Sequence, residues 1–120
     1  MKNIAVVLSG CGVRDGSEIH EATLLLLAID KLGAKYTIFA PNTDFKAYNH
    51  YTGNDTDEKR NILAESARIA RGDIKDLITF DATEYDALIF PGGFGAANTL
   101  CTYAIDGVNM EVRKDVAQAI

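Results

Sequence analysis

The chain has 120 residues, 48% of them apolar, with 17 acidic and 12 basic side chains and a net charge of −5. That is enough for one domain with a modest core, and an acidic chain without a basic cluster excludes nucleic acid and anionic membrane as partners. Its two cysteines, Cys11 and Cys101, form neither a disulfide framework nor a zinc motif and fit a reducing, cytoplasmic setting, and no segment approaches the ~20 apolar residues of a membrane span.

Residues 4–8 read as a first buried strand, turned by Ser9-Gly10-Cys11-Gly12. Asp15-Gly16-Ser17 offers capping side chains to a helix reaching Leu32. Glu18 and Glu21 sit in its first turns, Ala22, Leu25, Leu26 and Ile29 keep helical spacing, and Gly33 closes it. Lys35–Ala40 is a second strand, β-branched and aromatic, ended by Pro41. Strand, helix and strand make a βαβ unit, hence a parallel pair with a right-handed crossover. In the middle, residues 47–52 read as a short extended piece with a turn at Gly53-Asn54-Asp55, and residues 61–71 as a helix. Residues 73–79 read as a helical turn followed by an extended piece, and 81–84 as a capped helical turn. Residues 87–90 form a third core strand, buried on both faces and stopped by Pro91. Gly92, Gly93 and Gly95 follow, and residues 98–103 and 110–120 are helix candidates, the latter with Val112, Val116, Ala117 and Ile120 on one face.

The stretch from Tyr85 to Asn98 is the functional centre this reading predicts. A buried strand, a Pro-Gly-Gly turn and a helix start place bare backbone N–H groups at the carboxyl edge of a sheet, where open α/β folds bind ligands and where oxyanions are held. Glu18 and Glu21 lie one helical turn apart. As a close pair beside a glycine turn they could raise one carboxyl pKa; as ordinary acidic residues they suit the positive end of the helix. Cys11 is either a thiol activated near helix N–H groups or a bystander, and Cys101 reads as core within a helix. Asn98 either donates to a ligand or caps a helix. His20 reads as a surface or core side chain, and His50 has no partner at metal-ligand spacing. A dinucleotide fingerprint fails, because the second strand ends on Ala40-Pro41-Asn42 with no acidic residue for a ribose.

The run Ser9-Gly-Cys-Gly-Val-Arg-Asp-Gly-Ser-Glu-Ile-His-Glu-Ala22 closely resembles the opening motif of the ElbB family, named for enhancing lycopene biosynthesis and also described as isoprenoid-biosynthesis glyoxalases. Asn49-His50, Thr52-Gly53, Arg60-Asn61, Ala67-Arg68-Ile69, Arg71-Gly72 and Pro91-Gly-Gly-Phe-Gly-Ala-Ala97 extend the resemblance over essentially the whole chain. It implies a class I glutamine-amidotransferase-like domain with a flavodoxin-like, doubly wound parallel sheet, of which residues 1–120 are the N-terminal part. It further implies a cysteine nucleophile on an elbow beyond this chain and an acid from the first helix, matching Glu21. Gly92 and Gly93 would be backbone oxyanion donors, with Cys11, Gly12, Glu18 and Asn98 around the substrate pocket. The implied reaction is a glyoxalase III-type conversion of a small 2-oxoaldehyde to a hydroxy acid, without cofactor or metal. On that reading residues 1–120 alone are inactive and unstable unless associated with the missing half, and a homodimer is the other expected partner. The rival reading is a non-catalytic metabolite-binding or regulatory protein of the same fold.

Overall fold

The most apolar runs of the chain become its central strands, as burial on both faces of a parallel sheet requires. A computed structural model describes all of residues 1–120. β1 (Asn3–Val7) runs between β2 (Lys35–Ala40) and β6 (Ala87–Ile89), parallel to both, and β5 (Lys75–Asp76) extends the far side of β2. The sheet therefore has four strands, in the order β5-β2-β1-β6. β1 stands where the chain winds first one way, to β2, and then the other, to β6. That topological switch point is where such sheets bind ligands.

The sheet is covered on both faces. α1 (Ile19–Lys31) and α2 (Ile62–Ala70) pack on one, where Val6, Leu8, Ala22, Ile29 and Ile38 form a buried cluster. On the other face Ala5, Val7, Phe39, Leu77 and Leu100 pack with Val116 and Ala119 of α5 (Lys114–Ala119). Phe39 anchors this layer edge-on to Phe80 and Tyr85, at centroid distances of 5.4 and 5.7 Å. The doubly wound α/β architecture is thus the one the resemblance implies.

Several local expectations are corrected. Residues 54–61, whose polar run hides any alternation, form β4 (Asn54–Asn61), which pairs antiparallel with β3 (Asp44–Asn49) as a projecting hairpin. Around Lys75 the order is reversed, extended first and then a 3-10 turn (Leu77–Thr79), because Asp76 caps that turn by accepting the Ile78 N–H. β6 is an edge strand paired only with β1, and its side chains are half-buried or exposed rather than buried on both faces. After it come two single turns, α3 (Gly95–Asn98) and α4 (Tyr103–Asp106). Cys101 lies between them in a bridge to Val112, not in a helix, and this pairing delays α5 to Lys114.

Candidate functional site

Two glycine turns meet at the carboxyl edge of β1 and β6 and are laced together by their backbones. The Glu18 N–H donates to the Gly92 carbonyl at 2.7 Å, Phe94 N–H to Val13 at 2.8 Å, and Gly95 N–H to Gly16 at 3.0 Å. Gly93 holds φ at 114°, and a Cβ there would run into the Gly16 carbonyl oxygen and the Glu18 nitrogen. Below the turns, Ser9 N–H donates to Ser17 Oγ at 3.0 Å and Gly10 N–H to Ser66 Oγ at 2.9 Å. These serines are buried, so the first bond braces the loop after β1 and the second fastens it to α2, both away from water. Ser17 is thereby spent inside the loop, and the N-cap of α1 is Glu18.

The Glu18 carboxylate accepts the N–H groups of Glu21 at 2.8 Å and His20 at 3.3 Å. The Glu21 bond, and then the His20 bond and charge, hold its carboxyl below the ordinary glutamate value. The expectation that a paired acid is raised therefore does not hold at Glu18, which is an ionised cap. A depressed folded pKa gives stability that is fully present above the unfolded value of 4.5 and is lost as pH falls through the folded one. The melting-temperature advantage of wild type over Glu18→Gln should accordingly be constant from pH 7 to 5 and shrink towards pH 3; a gap that does not shrink would exclude a charged cap.

Glu21 reaches across to the other turn. Its Oε1 accepts the Gly92 N–H at 2.6 Å, a link over 71 positions of sequence, and a Cβ on Gly92 would lie 2.9 Å from both carboxylate oxygens. The Gly92 N–H is therefore engaged by Glu21, whereas the Gly93 N–H has no acceptor within the chain and Glu21 Oε2 has no donor. Glu21 and Gly93 line a cavity of about 400 Å³ whose other walls are Val13, Glu18, Phe94 and Ala97.

The remaining predicted site residues lie elsewhere. The Cys11 thiol is pushed up from its ordinary pKa, first by burial and then by the Glu65 carboxylate, with Arg68 opposing; it is not an activated thiol. Gly12 packs under Asp15 and His50, where a Cβ would meet the His50 ring at 2.7 Å. His50 Nδ1 faces the Tyr48 carbonyl at 3.1 Å and Nε2 accepts the Arg14 N–H at 3.3 Å, so the ring stands as the Nδ1–H tautomer holding the hairpin to the loop. Asn98 closes α3 and turns away from Glu21, lining a different cleft, because it stands a helical step of roughly 100° from Ala97. His20 is a surface side chain 3.7 Å from Glu18. Val13 and Phe94 were not legible as pocket walls; their only sequence signal is adjacency to the two glycine turns. No group of three His, Cys, Asp or Glu side chains is placed to hold a metal ion, and no helix is long and apolar enough to cross a membrane.

No family model matches the chain. Over 119 residues it is 50% identical to the human protein described as glutamine amidotransferase-like class 1 domain-containing protein 3, mitochondrial, which covers 98% of this chain and 44% of that protein. It is also 50% identical to the ES1 protein homolog, mitochondrial, of Rattus norvegicus, spanning 45% of its length, and 38% identical to the Danio rerio ES1 protein, mitochondrial, spanning 46%. A crystal structure of an isoprenoid biosynthesis protein with an amidotransferase-like domain, from Ehrlichia chaffeensis, superposes with a TM-score of 0.91 at 40% identity, over 98% of this chain and 56% of that one. The chain thus spans less than half the length of the curated relatives it matches.

Proposed function

Because this chain is a partial class I glutamine-amidotransferase-like protein, we propose that it contributes the acid and oxyanion side of a thiol-addition pocket in a cofactor-independent glyoxalase. One observation carries the reading: the Glu21 carboxylate is pinned to the Gly92 N–H at 2.6 Å, and Glu21 and Gly93, whose N–H has no acceptor within the chain, line the same cavity. A carboxyl oxygen and a backbone donor on one wall suit addition of a thiol to an aldehyde, where a proton moves and an alkoxide forms.

The nucleophilic thiol is proposed to belong to the part of the relatives' length that this chain does not span, since the Cys11 thiol is raised by burial and by the Glu65 carboxylate. The thiolate adds to one aldehyde carbon of glyoxal, giving a hemithioacetal whose alkoxide is met by the Gly93 N–H. Glu21 moves the proton in the isomerisation to a hydroxyacyl thioester. Water then releases glycolate and restores the thiol, so no oxidant is consumed. A cytoplasmic site is proposed from the two free cysteines alone, the curated relatives being named as mitochondrial.

The test is conversion of glyoxal to glycolate without added cofactor, followed in parallel for residues 1–120 and for the protein at the relatives' full length. Turnover is expected only at full length. Turnover by residues 1–120 would place the nucleophile within this chain. Absence of turnover at full length would leave the pocket to the rival, non-catalytic reading.

A further inference from the structure

His50 stands where the hairpin meets the loop after β1, and its two ring nitrogens serve different sides of that join. Nδ1–H donates to the Tyr48 carbonyl at 3.1 Å, and Nε2 accepts the Arg14 N–H at 3.3 Å. A second acceptor lies beside Nε2. Asp15 Oδ1 is 3.9 Å away, too far for a hydrogen bond, and takes no donor from the chain, whereas Oδ2 accepts the Tyr48 N–H at 2.7 Å. This approach depends on glycine at position 12, where a Cβ would lie 2.6 Å from Asp15 Oδ1 and 2.9 Å from His50 Nε2. The Asp15 side chain is 11% exposed and that of His50 40%, so solvent protons reach the ring while the carboxylate beside it is sheltered.

That geometry gives the ring two arrangements. A neutral imidazole has one acceptor nitrogen, here spent on the Arg14 N–H, and an imidazolium has none. A proton taken from solvent onto Nε2 therefore sets two N–H groups against each other and breaks that hydrogen bond. The same proton aims a charged donor at Asp15 Oδ1, and a movement of about 1 Å brings the pair within hydrogen-bond distance. The other charges around the ring are occupied. Glu58 and Arg60 of β4, which share a cavity of about 290 Å³ with His50, pair with each other at 3.1 Å. The Arg14 guanidinium is held between aromatic faces, 4.7 Å from the Tyr48 centroid and 5.2 Å from that of Phe94. The bond at stake adjoins the Glu21 cavity, since Val13 lines that cavity and its carbonyl accepts the Phe94 N–H.

We propose that His50 is a pH-sensitive clasp: neutral, it holds the Arg14 N–H, and protonated, it releases that N–H and takes the Asp15 carboxylate instead. The hairpin stays fastened in both states through the Tyr48 N–H on Asp15, and acid frees only the main chain at Val13-Arg14. The clasp does not depend on the glyoxalase reading. Its test is a titration between pH 8 and 5, where histidine changes charge, followed by magnetic resonance in the isotopically labelled protein at the relatives' full length. The Arg14 amide proton is expected to move upfield with the same midpoint as the His50 ring, and its protection from exchange to fall severalfold, while the Tyr48 amide stays protected. His50→Gln, which keeps an uncharged acceptor, should abolish the pH dependence at Arg14, and His20→Gln should leave it unchanged. In acid the His50 Nε2–H should be slow to exchange; Asp15→Asn, whose amide oxygen can still accept the Tyr48 N–H, should lose that protection. An Arg14 amide that ignores the His50 midpoint, one that still follows pH in His50→Gln, or a neutral ring carrying its proton on Nε2 would overturn the proposal.

Discussion

Gly93→Ala is expected to cost about 2–6 kcal/mol of unfolding free energy, a large effect for one methyl group. Two terms add. At φ 114° an alanine is strained whatever the space around it, which costs of order 1–3 kcal/mol. The new Cβ also collides with the Gly16 carbonyl oxygen and the Glu18 nitrogen. Both are backbone atoms already fixed, the first accepting from Gly95 and the second donating to Gly92. Neither can swing aside as a side-chain tip would, and overpacking of this kind costs about 1–3 kcal/mol more. Against a usual total of about 5–15 kcal/mol, a loss of about 4 kcal/mol is roughly a quarter or more of the fold's margin. The comparison is Gly107→Ala, also at positive φ but with nothing within 4 Å, where only the conformational term applies. Urea titrations of the two variants separate the terms; a Gly93 loss no larger than that at Gly107 would mean the glycine turns part freely.

The same contact explains which parts of the molecule were legible in the sequence. β1, α1, β2 and α2 were legible because each buries a face, and burial leaves an apolar period in the chain. The hairpin buries little beyond Ala47, so its second strand, Asn-Asp-Thr-Asp-Glu-Lys-Arg-Asn, carries no such period. It is held instead by its ladder to β3 and by Ile62 N–H donating to Thr43, neither of which writes a pattern into residue types. The glycine turns were legible as turns, but not as a pair. Nothing local in Gly92 announces that its N–H will meet a carboxylate 71 positions away. The same limit hid which cleft Asn98 lines. Placing it beside the Pro-Gly-Gly turn was right in sequence, and a single turn of helix carries its side chain into the other cleft. Cys11 was open between an activated thiol and a bystander for a different reason. Position in the first turn allows activation, while what raises its pKa, burial first and then the Glu65 carboxylate, depends on packing and on a residue far along the chain.

Glu21→Gln, placed in the protein at the relatives' full length, should lower kcat for glyoxal by about 10²–10⁴, the range of a lost acid–base group, while KM changes little. Glutamine is the informative replacement because its carbonyl oxygen can still accept the Gly92 N–H, so the joint between α1 and the Pro-Gly-Gly turn survives. What disappears is a second carboxyl oxygen able to take and return a proton at the cavity wall. Glu21→Ala removes the joint as well and is expected to lose stability in addition to turnover, which a parallel melt will register. Glu18→Gln serves as the internal comparison: its carboxylate points into the end of α1, accepting the Glu21 and His20 N–H groups, and is not asked to move a proton. Its effect should therefore fall on the melt at neutral pH and leave most of kcat. If Glu18→Gln and Glu21→Gln reduce kcat alike, the cavity's negative charge matters and the proton at Glu21 does not; if Glu21→Gln leaves kcat untouched, Glu21 is only the clasp that holds the Gly92 turn in place.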